Sequence, residues 1–96
     1  MTAEEWFNRG CNKGELGDNQ GAIADYNQAI QIKPDYAYAY IGRGNAKSNL
    51  GDKQGAIADY NQAAQLYVQQ NTMDKYQYTL DQVKRLEKGF WGRLFS

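Results

Sequence analysis

Apolar residues recur along this chain at the spacing of a single helix face. Ala22, Ile23, Tyr26, Ala29 and Ile30 stand at i, i+1, i+4, i+7 and i+8, and Ala56, Ile57, Tyr60, Ala63 and Ala64 repeat the set. A stripe of this period predicts two amphipathic helices. Each is preceded by the tripeptide LGD, at 16–18 and 50–52. Gly17 and Gly51 supply the left-handed residue that ends one helix, and Asp18 and Asp52 cap the free N–H groups that begin the next, so LGD reads as a helix-turn-helix corner. Pro34 cannot continue a helix, which closes the first unit, and Asp35 stands where it can cap the following helix. Further on, Met73, Tyr76, Leu80, Val83 and Leu86 or Glu87 fall three and four apart, which predicts another amphipathic helix with Lys75, Asp81, Lys84 and Lys88 on its outer, wet face.

The two stripes belong to a longer internal repeat. GAIADYNQA occupies residues 21–29 and again 55–63, and a shift of 34 matches 17 of the 23 positions between Arg9 and Gln31. Self-similarity at this level marks a duplicated structural unit. Each unit is predicted to be two antiparallel helices joined by a short turn, and one such hairpin leaves an apolar face bare, so it must stack on a neighbour. Gly10, Ala22 and Ala29, repeated as Gly44, Ala56 and Ala63, are small enough to let helices approach closely. Arg9 and Lys13, repeated as Arg43 and Lys47, lie four apart on one helix face, with Asp25 and Asp59 recurring in the following helices. Two readings stand: a salt-bridged seam whose cationic stems cover apolar surface, or a basic row that accepts an acidic partner.

Composition narrows the chemistry. In 96 residues, eleven basic side chains balance eleven acidic ones, which leaves no overall field to hold nucleic acid or an anionic membrane. Nucleic acid is excluded as a default partner and a membrane is disfavoured. The chain has no His, the commonest general base and metal ligand, and its single Cys11 cannot form an internal disulfide. No phosphate-cradling glycine loop, carboxylate pair with a matching base, or metal-ligand spacing is present, so no catalytic residue, cofactor or metal site is assigned and a non-enzymatic role is expected. The N-terminus carries neither a signal nor a transit peptide pattern, and no apolar run reaches the roughly 18 residues of a spanning helix. A soluble, cytoplasmic protein is expected.

These residues resemble the tetratricopeptide repeat family, whose 34-residue pattern runs W-x2-L-G-x2-Y, then A-x3-F, Ala and Pro. The first unit supplies Trp6, Gly10, Ala22, Tyr26, Ala29 and Pro34; the second supplies Tyr40, Gly44, Ala56, Tyr60 and Ala63. Arg9 and Arg43 depart from the expected Leu, Lys13 and Lys47 from the expected Tyr, and Val68 from the second Pro, so the last helix of the second unit is free to run further. The resemblance implies an all-α fold of five helices, in which antiparallel helix-turn-helix repeats stack as a short right-handed superhelical solenoid. Repeats are expected at 3–36 and 37–70, a C-terminal capping helix at 71–88 and an apolar tail at 89–96.

By the same resemblance, the chain is expected to act as a protein interaction scaffold, with a peptide or protein held in a concave groove lined by the first helix of each hairpin. Alignment places Phe7, Cys11, Gly14, Glu15, Tyr38, Ile41, Asn45, Ser48 and Asn49 in that groove. The branch that clamps chaperone tails through groove Lys and Asn side chains is disfavoured, because Phe7, Cys11 and Gly42 stand at the clamp positions. The alternative is a structural self-assembly unit. Phe90, Trp91, Leu94 and Phe95 crowd four large apolar side chains into six residues, and such a patch is expected to be covered by the chain itself, a second copy forming a homo-oligomer, another protein, or, less favoured with only Lys88 and Arg93 nearby, a membrane surface.

Overall fold

The computed structural model describes the backbone of residues 1–95 and the side chains of residues 1–88. Five α-helices follow one another: α1 (Ala3–Glu15), α2 (Asn19–Ile32), α3 (Ala37–Asn49), α4 (Lys53–Gln69) and α5 (Met73–Phe95). Helices α1 and α2 form the first hairpin, α3 and α4 the second, and α5 packs on α4 as α3 packs on α2. The side chains of Phe90, Trp91, Leu94 and Phe95, expected to form an association surface, lie outside the described residues.

Both LGD corners are built as their residues dictate. Gly17 and Gly51 take φ values of +86° and +88°, a region costly for any residue with a Cβ, while Asp18 and Asp52 each accept from the backbone N–H three residues on, at 2.9 Å. Ahead of them, Thr2 and Glu5 close a reciprocal capping box on α1. Asp35 does not cap α3, contrary to expectation. The N-cap is Tyr36, which makes no side-chain cap, and its ring packs 5.2 Å from that of Phe7. Burial of that aromatic ring takes the place of a cap hydrogen bond.

The molecule measures 47 × 32 × 17 Å. With helices about 10 Å across, its thinnest dimension admits no more than two layers, so the core is divided into a series of joints rather than gathered in one centre. Each joint centres on a tyrosine or on alanines in the register of the repeat. Tyr26 packs with Ala22 and Ala46, and Tyr60 packs with Ala56 and Val83. Ala22 and Ala56 are fully buried, as the stacking of hairpins requires.

The glycines explain why these tyrosines fit. A Cβ on Gly10 would lie 2.8 Å from the Tyr26 ring, and one on Gly44 would lie 2.9 Å from the Tyr60 ring, so both serve contacts within a hairpin. Gly42 opens the contact between hairpins: its Cβ would sit 2.6 Å from Tyr26 Cζ. Tyr26 is therefore wedged between α1 and α3.

A charged seam runs beside these joints. Arg9 grips the buried Asp25 through both carboxylate oxygens at 2.8 Å, with Lys13 at 3.2 Å. Arg43 and Lys47 treat Asp59 the same way, at 2.6–2.9 Å and 3.1 Å. Each guanidinium also stacks on the ring one turn earlier, Arg9 over Trp6 at 4.7 Å and Arg43 over Tyr40 at 5.3 Å. The Arg9 guanidinium, against the opposing cost of burial, holds the Asp25 carboxyl below its ordinary range, and Lys13 adds to this. These four cations are thus engaged inside the stack as a seam.

Two expectations about α5 need correction. Met73 is 55% exposed and lies off the stripe, which instead carries Tyr76, Thr79, Leu80, Val83 and Leu86 toward the stack. Lys75 is half-buried and turned toward α3 and α4 rather than out to water, because its alkyl stem and ammonium are covered by the rings of Tyr38 and Tyr67.

Candidate functional site

Parallel placement of α1 and α3, with α5 in the next position, gives the three helices a common face carrying three adjoining recesses. The first lies between α3 and α5, about 320 Å³, lined by Tyr38, Ile41, Tyr67, Asp74, Lys75 and Tyr78. A second, about 280 Å³, lies between α1 and α3 and includes Cys11, Gly14, Glu15, Asn19, Asn45 and Asn49. The third, about 430 Å³, is lined by Asn45, Ser48, Asn49, Tyr60, Gln82, Arg85 and Leu86. Asn45 and Asn49 are shared, so the second and third recesses are continuous across α3. Phe7 borders this face through its rings' contacts with Tyr36 and Tyr38, 5.2 and 6.3 Å away.

The upper part of the face is aromatic. From Phe7 the row passes to Tyr38, 46% exposed, and from Tyr38 to Tyr67 at 6.2 Å with the rings edge to face. The Lys75 ammonium caps the row, 4.8 Å from the Tyr38 centroid and 5.9 Å from that of Tyr67, and donates to the Tyr38 hydroxyl. This hydrogen bond favours the charged form and raises the Lys75 pKa. Burial pushes the Tyr67 phenol up to about 12, so it stays neutral and apolar at ordinary pH.

The lower part is polar and lined by amides. Here Cys11 and Asn45 hold equivalent positions in the two repeats and do equivalent work. The Tyr26 hydroxyl donates to Cys11 Sγ at 3.4 Å, and the Tyr60 hydroxyl donates to Asn45 Oδ1. Both phenols are raised by burial, Tyr60 to about 12, and Tyr26 is raised further by its bond to Cys11. Asn49 Nδ2 reaches Asn19 Oδ1 at 3.3 Å and ties the floor of the face across the hairpin boundary.

The structure therefore brings Phe7, Cys11, Gly14, Glu15, Tyr38, Ile41, Asn45, Ser48 and Asn49 to one surface. Sequence reasoning missed the wall contributed by α5: Lys75, Tyr78, Gln82 and Arg85. A signal was present. Continuing the 34-residue step from Ile41 and Ser48 lands on Lys75 and Gln82, so α5 holds the place of a third repeat's first helix although its residue identities have changed. Among the described residues, no group of three or more His, Cys, Asp or Glu is gathered as a metal site would need.

Comparison with known proteins agrees with this architecture. A family model described as "TPR repeat" matches residues 15–51, and one described as "Tetratricopeptide repeat" matches residues 37–70. No curated protein matches the chain. Among solved structures, a chain from the crystal structure of MamA superposes with a TM-score of 0.65 at 19% identity, covering 95% of this chain and 61% of that one. At that identity the likeness is one of fold, and the present chain spans less than two thirds of its length.

Proposed function

Because the chain belongs to the tetratricopeptide repeat family, whose members serve generally as scaffolds for protein–protein interaction, we propose that it is a non-enzymatic module that holds a peptide or protein segment on the shared face of α1, α3 and α5. One observation carries this reading. The recess lined by Tyr38, Ile41, Tyr67 and Tyr78 leaves the rings of Tyr38 and Tyr78 exposed to solvent beside a bordering cation, whereas the other aromatic side chains among the described residues are buried or half-buried. A concave apolar pocket with a few polar groups at its rim is the usual form of a recognition site. Aromatic side chains that are already held in place lose little freedom on binding.

The test is recovery of partners from cells that express the protein, with Tyr38→Ala and Ile41→Ala as controls. Loss of the same partner from both variants is the expected result. Equal recovery by wild type and variants would overturn the groove assignment.

A second reading, self-assembly, is favoured by the sequence of the tail, where Phe90, Trp91, Leu94 and Phe95 follow one another closely. Sedimentation across a concentration range separates the two. A monomer unchanged by removal of residues 89–96 would end the assembly reading. No described helix is long and apolar enough to cross a membrane.

A further inference from the structure

The charges on the walls of the groove narrow the class of partner, an inference that rests on the groove reading above. Apart from Lys53, every cation of the two hairpins is engaged: Arg9 and Lys13 on Asp25, Arg43 and Lys47 on Asp59, Lys33 on Glu4. Lys75 and Arg85 differ. Both stand on α5 and line the groove, and among the described residues neither has a carboxylate within salt-bridge distance. Lys75 spends one donor on Tyr38 and is fixed over two rings, which leaves its remaining N–H donors for another acceptor. Asp74 lines the same recess without pairing with it.

The opposite wall has the opposite sign. Glu15 at the end of α1 lines the groove, is exposed, and likewise makes no ion pair among the described residues. Between the walls, α3 presents only uncharged side chains to the groove, from Tyr38 to Asn49. The face thus carries one carboxylate at α1, uncharged side chains along α3, and at α5 two cations against the single carboxylate of Asp74, a net basic wall.

We infer that the groove takes an extended peptide of fixed charge order, with an apolar or aromatic side chain seated in the Tyr38 and Ile41 recess, an acidic residue toward the α5 wall that carries Lys75 and Arg85, and a basic residue toward Glu15. Neighbouring helices lie about 8–10 Å apart, so the walls are separated by roughly 16–20 Å. At about 3.3 Å per extended residue, the two charges of the peptide stand about five or six residues apart.

The test uses the full chain and capped, fluorescent heptapeptides. One is Arg-Ser-Ser-Phe-Ser-Ser-Glu; the others carry Glu at both ends, Arg at both ends, or Ser in place of Phe. In low salt the mixed-charge peptide is expected to bind roughly fivefold more tightly than either like-charged one, the effect of one or two exposed ion pairs. The Phe-to-Ser peptide is expected to be weakest. Glu15→Lys is expected to shift preference to the peptide with two Glu, and Arg85→Glu to the one with two Arg. Both positions are exposed, and circular dichroism verifies that the variants fold. Equal binding of the three charge patterns, preferences unmoved by either substitution, or no binding at all overturns the inference. Charge-independent binding that is lost in Ile41→Ala would retain the groove and remove only the charge order, whereas binding indifferent to Ile41→Ala would remove both.

Discussion

The two hairpins share most of their residues yet meet different neighbours, and the positions where they differ show which contacts each neighbour sets. Within a hairpin the joint is the same twice over: glycine under tyrosine, aspartate under arginine and lysine. Between hairpins the terms change. Arg43 donates to Asn27 Oδ1 of the preceding helix at 2.9 Å and its side chain is 21% exposed, whereas Arg9 has no such neighbour among the described residues and its side chain is 48% exposed. Helix α2 stops at Ile32 ahead of Pro34, while α4, with Val68 where Pro would stand, runs three residues longer, 17 against 14. Bulk is also redistributed. Ile30 of the first unit packs against the small residues Ala3, Ala29 and Ala39; its counterpart Ala64 shares a recess with the larger Tyr76 and Leu80 of α5. Identity therefore follows the inner joint, and divergence follows the neighbour.

This contrast can be broken most forcefully at the tyrosines. Tyr26→Ala empties a wedge held by two helices and is expected to cost about 3–5 kcal/mol; Tyr60→Ala, which faces a glycine on one helix, costs less. Thermal unfolding of both variants checks the order, and equal losses would remove the distinction between inner and outer joints. Next comes the seam. Arg43→Ala is expected to lose about 2 kcal/mol, below the figure for a wholly buried pair because Lys47 stays on Asp59, and Arg9→Ala is expected to lose less since water already reaches it. Urea unfolding of the two variants measures the difference.

A sharper test lies in the glycines. Alanine in a helix interior normally gains about 0.5–1 kcal/mol over glycine, but Gly42→Ala should lose about 1–2 kcal/mol because the added carbon would meet the Tyr26 ring. Asn8, its exposed counterpart one repeat earlier, should tolerate Ala within about 0.5 kcal/mol. Titration adds a further check. Folding raises the Tyr60 and Tyr67 phenols to about 12, so the folded state retains protons that the unfolded chain releases near pH 10. Stability from these groups is complete below pH 10 and is lost as pH rises toward 12, a loss that Tyr60→Phe should reduce. The smallest effect is expected for Cys11→Asn, which copies the second repeat into the first and keeps an acceptor for the Tyr26 hydroxyl. Its melting temperature should stay within a few degrees of wild type.

Much of this organisation was legible in the sequence, and the reasons are physical. A 34-residue step with Gly-Asp corners specifies hairpins because backbone geometry permits few alternatives at those positions. The repetition of Asp25 and Asp59 opposite paired cations exposes the seam. What escaped was governed by contact rather than by period. Lys75 looks like a surface residue of an amphipathic helix until the rings of Tyr38 and Tyr67 are placed beneath it. Gly42 gives no signal of its own, since its register mate is Asn8 and its need arises from a ring on another helix. Asp35 resembles a cap, yet Tyr36 holds that place because its ring is buried against Phe7, and the Asp35 carbonyl instead accepts from Gln70 at 3.1 Å.

Helix α5 stands in the position of a first repeat helix but lacks the hardware to receive a second. Where Arg43 and Lys47 clasp an aspartate from the following helix, the same step along the chain offers Gln77 and Asp81, which bond to each other at 3.4 Å. Another unit added after α5 would bring its aspartate against an amide and a like charge. An engineered extension that is to keep the charged seam should therefore splice its extra 34 residues upstream of residue 71.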